Sequence, residues 1–504
     1  MKRAYAAIAV AVLVMAGCAG STATPKPATP APTPTPVVTP APTAAPTAAP
    51  TATPAATAAP TAAPTAAATV APTAAPTVAP TTAPTVAPAP TAAPTVAPTA
   101  VPTIAPTAAP TIAPTAAATA VPSPVASAPV VVASPGASAA SGTIKIGGGF
   151  ALTGAESSLD APAAQGAQLA VKEINAAGGI NGQMIEFPIH DSKYQMDVTA
   201  QTAKQFVEED KVVAMIGYTD TDSVLAAGPI FQTAGIPFLT VGATSPKIPS
   251  QVGDMMFLAA FGDNVQAAAG AEFALQQFGN TAYLLSDSGV EYTKLLGQYF
   301  KSRFTQAGGS IVLEDQYEDA ATDFSAQITK VKALDPQPAF YYIAAMPYNI
   351  GPLVKQMRDA GLTAPIVGGD GYDTPDLVSV AGAASNDVYF STHALMSSTV
   401  GTDAIKKFIT DYHAEYGVDP ENAFAALGYD SVYLMADAIK RASSTDAQAI
   451  KTALESTTGF KGITGDISYK DGSHVPQKGV TIIAVKDQQL TLGAEVVPQQ
   501  VPAP

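Results

Sequence analysis

The chain has 504 residues and a formal net charge of −15, from 25 Lys and Arg against 40 Asp and Glu, with four His, one Cys and no Trp. Lys2, Arg3 and Lys26 are its only charges before Lys145, so setting those three positives aside takes the remainder from −15 to −18. An acidic balance argues against nucleic acid as a partner, because phosphate binding needs a basic patch; a single cysteine excludes internal disulfides and a thiolate metal cluster.

Residues 1–18, MKRAYAAIAVAVLVMAGC, join a basic start to an apolar core of signal-peptide length, too short to span a bilayer and stay. The end of this segment, Met15-Ala16-Gly17-Cys18, resembles the lipobox of bacterial lipoproteins, with Met15 where Leu, Val or Ile is usual. That resemblance implies lipidation at Cys18 and an extracytoplasmic protein held to the cell membrane by lipid. Residues 19–142 follow as an array of Ala, Pro and Thr without a single aromatic residue. Proline recurs too often for helix or sheet, and little apolar surface is available to offset the entropy of ordering. The expectation is a disordered tether reaching at most about 3.1 Å per residue.

The folded part opens with a strand over 143–150, TIKIGGGF, and a helix over about 162–177 that Gly178-Gly179 stops. Gly147-Gly148-Gly149 is not a nucleotide loop, since no Gly-Lys-Ser/Thr follows and the spacing misses the dinucleotide pattern. A strand over 184–189 and a helix over 198–209 lead to a βαβ unit: apolar runs at 212–216 and 236–241 flank a helix over 223–234. Parallel strands of such a unit end at one edge, where open α/β sheets bind ligands. Thr219, Asp220, Thr221, Asp222 and Ser223 follow the first strand, and Thr244 and Ser245 the second. Asp222 or Ser223 capping the helix explains one such turn; two polar turns across one unit point to a pocket, with the helix N–H groups offered to an anion.

The alternation then restarts. Helices are expected over 264–278, 292–307, 324–334 and 350–360, and strands over 281–286, 310–313, 339–343 and 366–368. A strand at 388–391, helices over about 402–416, 421–441 and 446–456, and strands at 463–469 and 480–485 complete the chain. Two successive runs of βα units argue for two α/β lobes with a cleft between them. His190, His393, His413 and His474 are isolated, and neither a metal-binding histidine pair nor a Gly-x-Ser-x-Gly elbow occurs. No carboxylate pair is singled out as acid and base. Neither an enzyme nor a metal or cofactor is therefore expected.

Collinear segments at 153–155 and 166–187, then IGYTDTDS, VGATSP, FYYIA and KQMRDAGLTAPIVGGDG, resemble the type 1 periplasmic binding proteins, and most of all the leucine/isoleucine/valine-binding group of ABC importers. The resemblance covers roughly 143–490. It implies two Rossmann-like lobes joined by three hinge crossovers, one about 143–262 plus 394–470, the other about 263–393 plus 471–490, with 491–504 a tail. It further implies a monomer that binds an amino acid and hands it to the transmembrane subunits of a permease. A sensor of amides or other small polar molecules, and a structural wall-associated protein, are the alternatives.

Carried across residue by residue, the hydroxyl that holds the ligand carboxylate falls on Thr221, with Asp220 and Ser223 beside it. Gly242 supplies a backbone carbonyl and Thr244 a hydroxyl, and Asp370 takes the place of the glutamate that pairs with the α-ammonium. Tyr292 is the aromatic of the second lobe. Where a tyrosine is usual at the end of the FYYIA strand the chain has Met346, with Tyr348 nearby, and Leu159 replaces an aromatic after the first strand. These roles agree with the demands of a zwitterion, donors at one end and a carboxylate at the other. Asp220 would oppose an aliphatic side chain if it faces the cleft, and is a turn residue if it does not.

Overall fold

The computed structural model describes residues 142–504; the signal peptide expected over 1–18, with Cys18, and all but the last residue of the tether expected over 19–142 lie outside them. The first lobe begins with β1 (Thr143–Phe150), α1 (Ser157–Ala176), β2 (Met184–Glu186), β3 (Ile189–Asp191) and α2 (Met196–Gln205), which runs into a π turn at Phe206–Asp210. It continues through β4 (Ala214–Gly217), α3 (Thr221–Ala234), β5 (Phe238–Thr240), α4 (Ile248–Val252) and β6 (Met256–Leu258). These strands form one parallel sheet in the order β2-β1-β4-β5-β6, with β3 also paired to β1.

The chain then crosses to a second lobe of α5 (Asp263–Gln277), β7 (Thr281–Asp287), α6 (Glu291–Gln306), β8 (Ser310–Tyr317), α7 (Ser325–Lys332) and β9 (Phe340–Ala344). α8 (Pro347–Asp359), β10 (Ile366–Gly368), a 3-10 turn at Asp370–Tyr372, α9 (Pro375–Ala381) and β11 (Val388–Thr392) follow. A second crossing returns α10 (Asp403–Tyr416), α11 (Ala423–Ala442), α12 (Ala447–Glu455) and the hairpin β12 (Phe460–Gly462) and β13 (Gly465–Ile467) to the first lobe, where Leu427, Val432 and Ile450 share a core with Ile146, Ala163 and Ile216. A third crossing places β14 (Val480–Lys486) and β15 (Gln489–Val496) on the second sheet, of order β15-β14-β11-β10-β9-β7-β8. β7 to β11 are parallel and the last two strands antiparallel. Helices cover both faces of each sheet, so the strands read as unbroken apolar runs such as FYYIA, all five residues of which are buried.

Local chemistry explains where the elements depart from expectation. The strand expected over 184–189 breaks into β2 and β3 because Pro188 has no N–H for a ladder; its carbonyl instead accepts from Gly148 N at 2.8 Å. Of the strand expected over 463–469, only Gly465–Ile467 is strand: it is the second arm of a hairpin that turns at Ile463-Thr464, and Gly465, which re-enters the ladder, has a φ of 107° that suits glycine. α8 begins three residues earlier than 350, with Pro347 in its first turn. The tail expected over 491–504 is strand as far as Val496: residues 489–496 form β15 and cover the edge of β14. The three glycines of β1 serve close packing: a Cβ on Gly149 would lie 2.7 Å from the Tyr218 ring and 2.6 Å from the Met215 methyl.

Candidate functional site

In both sheets the strand order reverses beside the first strand, between β1 and β4 in the first lobe and between β7 and β9 in the second. Loops leaving the C-terminal ends of strands flanking such a reversal diverge and leave a crevice. The two crevices face each other across one shared, narrow cavity. The first lobe contributes Glu156 and Leu159 from the start of α1, Thr219, Asp220 and Thr221 after β4, and Gly242 and Thr244 after β5. From the second come Tyr292 on α6, Met346 and Pro347 after β9, and Asp370 and Gly371 after β10; Phe424 arrives on α11. A Cβ on Gly242 would stand 2.6 Å from the Phe424 ring, so that ring reaches the site only past a glycine.

The turn after β4 is a helix start. Asp220 caps α3, its Oδ1 accepting from Ser223 N at 2.7 Å, while its Oδ2 has no protein partner. Thr221 is 1 % exposed and its hydroxyl is also without a partner, as are those of Thr219 and Ser223. Free hydroxyls at a helix N-terminus are placed to donate to a carboxylate.

Across the cavity, Asp370 is fixed by a buried network. Its Oδ1 accepts from Gln266 Nε2 at 2.8 Å and from the Tyr292 hydroxyl at 2.9 Å, and its Oδ2 lies 3.1 Å from His393 Nε2. Gln266 Oε1 in turn accepts from Asp370 N and from the Ser391 hydroxyl, and Tyr292 Oη accepts from Gly371 N at 3.1 Å. His393 stacks on Phe261 with centroids 4.0 Å apart, and burial pushes its imidazole below the usual histidine range. The lobes also touch directly: Asp222 Oδ2 accepts from Glu291 N at 3.3 Å, joining the starts of α3 and α6.

The electrostatics are one-sided. Among the described residues no lysine or arginine lines the cavity, whereas Glu156, Asp220 and Asp370 do. Burial, then the Asp220, Asp160 and Asp370 carboxylates, push Glu156 well above the usual range. Burial raises Asp220 to about 6 against the hydrogen bond from Ser223 N. Behind them Asp160, accepting from Ala151 N at 2.7 Å, is pushed up to about 8 by burial and by Asp220. Taking charged carboxylates out of water without counter-charges favours their protonated forms.

Six of the expected site residues, Asp220, Thr221, Gly242, Thr244, Tyr292 and Asp370, line this one cavity. Two do not. Ser223 is wholly buried one helical step behind Thr221, where its N–H serves the cap. Tyr348 points away from the cavity lining, its hydroxyl donating to Asp319 Oδ1 at 2.6 Å and its ring 6.4 Å from that of Tyr194, because Pro347 opens α8 between Met346 and Tyr348 and turns the chain. No local pattern in the sequence points to Glu156 or Phe424. The signal for Glu156 is structural: it stands at the N-cap position of α1 yet makes no capping bond, leaving its carboxyl free for the cleft.

Paired parallel-sheet lobes with polar strand ends facing a shared crevice define a class of two-lobed solute receptors. The sequence model of the family described as periplasmic binding protein matches residues 143–489, and the chain belongs to that family. The Leu/Ile/Val-binding protein homolog 1 of Brucella abortus is 28% identical over 333 residues, 65% of this chain and 86% of that protein. The leucine-, isoleucine-, valine-, threonine- and alanine-binding protein of Pseudomonas aeruginosa is 26% identical over 334 residues, 66% and 87% respectively. Among solved structures, the branched-chain amino acid transporter substrate binding protein LivJ of Streptococcus pneumoniae, in complex with isoleucine, is 30% identical with a TM-score of 0.65, covering 70% of this chain and 99% of that one. The leucine binding protein LivK of Thermotoga maritima is 28% identical with a TM-score of 0.66, covering 71% and 99%.

Proposed function

We propose that this chain is the solute receptor of an ABC importer, that it closes on an α-amino acid between its lobes, and that it delivers the amino acid to the permease. The observation that carries the reading is the polarity of the cavity: Thr221 and the start of α3 on one wall, Asp370 on the other. A zwitterion laid across it gives its carboxylate to the hydroxyls and helix N–H groups and its ammonium to the acid, and either wall alone would leave one end of the zwitterion unpaired. Contact with both lobes makes the ligand favour the closed form over the open one. Relatives that bind branched-chain amino acids support the class of ligand. Lipid attachment at Cys18 and the tether behind it would hold the receptor outside the cytoplasm within reach of the permease, as a monomer.

Calorimetric titration of the full chain with the common α-amino acids tests the proposal. At least one binds, and Thr221→Val weakens it about 10- to 100-fold, the worth of one hydrogen bond to a charged group. Asp370→Ala abolishes it. Unchanged affinity in both variants rejects the site, and no α-amino acid binding at all rejects the function.

A further inference from the structure

The family's ligand needs one acid for one ammonium, and this cavity holds three. Glu156 is 1 % exposed and lines the cavity, with Oε2 free of any protein partner. Asp220 is 5 % exposed and lines it too, one oxygen occupied by the helix cap and the other free. Both come from the first lobe, at the crevice between β1 and β4, while the acid assigned to the α-ammonium comes from the second. A branched aliphatic side chain would leave both carboxylates against methyl groups, out of water and unpaired, a costly arrangement. A metal ion does not resolve it, since among the described residues no three His, Cys, Asp or Glu stand where they could hold one.

We infer that the amino acid bound here carries a second positive charge on its side chain, an ammonium or guanidinium directed at Glu156 and Asp220. Resting on the receptor reading above, this names the substrate class of that same cavity. Donors of a guanidinium or ammonium match the two free carboxylate oxygens, and their charge counters the mutual repulsion of Glu156, Asp160 and Asp220. Leu159 and Phe424 line the same cavity and offer apolar surface to the methylene stem of such a side chain.

Calorimetry on the full chain with L-arginine, L-lysine, L-leucine, L-isoleucine and putrescine separates the possibilities. L-Arginine or L-lysine binds at least about tenfold more tightly than L-leucine and L-isoleucine, and Glu156→Gln and Asp220→Asn each narrow that preference by about tenfold, the worth of one charged hydrogen bond. Asparagine at 220 keeps a capping oxygen for Ser223 N, so the substitution spares the start of α3. L-Leucine or L-isoleucine bound as tightly as both basic amino acids overturns the cationic side chain and leaves the amino-acid receptor standing. Putrescine bound with all four amino acids unbound, or none of the five bound, overturns both.

Discussion

Helices α1 and α11 carry Glu156, Leu159 and Phe424 to the cavity, and they cross at two glycines whose substitution has a calculable outcome. A Cβ on Gly428 would lie 1.9 Å from the carbonyl oxygen of Ala163, and one on Gly166 would lie 1.8 Å from that of Ala425, where approaches under 3.0 Å are essentially never found. Both obstacles are backbone, so no side chain can swing aside and the helices must part by roughly 1 Å. A gap of that order forfeits about a quarter to a half of each dispersion contact across the interface, and overpacking typically costs about 1–3 kcal/mol. Alanine regains about 1 kcal/mol of helix propensity over glycine. Gly428→Ala is therefore destabilising by up to about 2 kcal/mol net. Gly270, on α5, is the internal control, because its Cβ would meet only the Tyr342 ring at 3.6 Å, an ordinary contact. Gly270→Ala gains the propensity without the clash and stabilises by about 0.5–1 kcal/mol. Urea midpoints of the ligand-free full chain, followed by circular dichroism, should move in opposite directions for the two variants. A Gly428→Ala midpoint at or above that of the parent would refute the reasoning, whatever happens at Gly270.

The remaining predictions concern charge and closure. Asp220 and Asp160 titrate at about 6 and about 8 in the folded protein, above an unfolded carboxyl near 4, so the folded state holds protons that the unfolded state has released. Their contribution is complete below the unfolded value and is lost as pH rises through 6 and 8. Glu156, Asp222, Tyr194 and Tyr218 face the same pair and add no positive charge; Asp263, also raised to about 8, acts in the same direction, and buried His393 opposes it. The ligand-free midpoint of thermal unfolding should fall between pH 5.5 and 8, and Asp160→Asn should flatten the upper half of that fall; a rising profile contradicts the assignment. Asp222→Ala removes the oxygen that accepts Glu291 N across the lobes. One such bond is worth about 0.5–1.5 kcal/mol, so amino-acid affinity should drop about 2- to 12-fold with unfolding midpoints little changed, and an unaltered affinity would show that the contact does not favour closure.

Most of the first lobe's half of the site was legible because it is local. Thr221, Gly242 and Thr244 lie on one βαβ unit, and period, strand length and small polar residues after each strand are enough to place them at a common edge. Asp370 was reached through resemblance rather than pattern, since an acid after a short apolar strand is common. Tyr348 shows the limit of proximity in sequence. Two residues beyond Met346 it was expected in the site, yet the first turn of α8 carries it to Asp319.

The amino-acid sequence by itself determined the division into βα units, the two lobes and the edge of each sheet at which a ligand would sit, because hydrophobic period and turn chemistry act over a few residues. Tertiary structure alone decided which side chains share the cavity and in what state. Glu156 and Phe424 meet there across most of the folded chain, and Asp370 is locked by Gln266, Tyr292 and His393 from three other elements. Whether Asp220 faces solvent or the cleft depended on how α3 is capped and on what packs over it. The physical reason is range: propensity and periodicity are properties of neighbours along the chain, whereas burial, orphaned oxygens and raised carboxyl pKa values exist only once distant segments have excluded water from a common space.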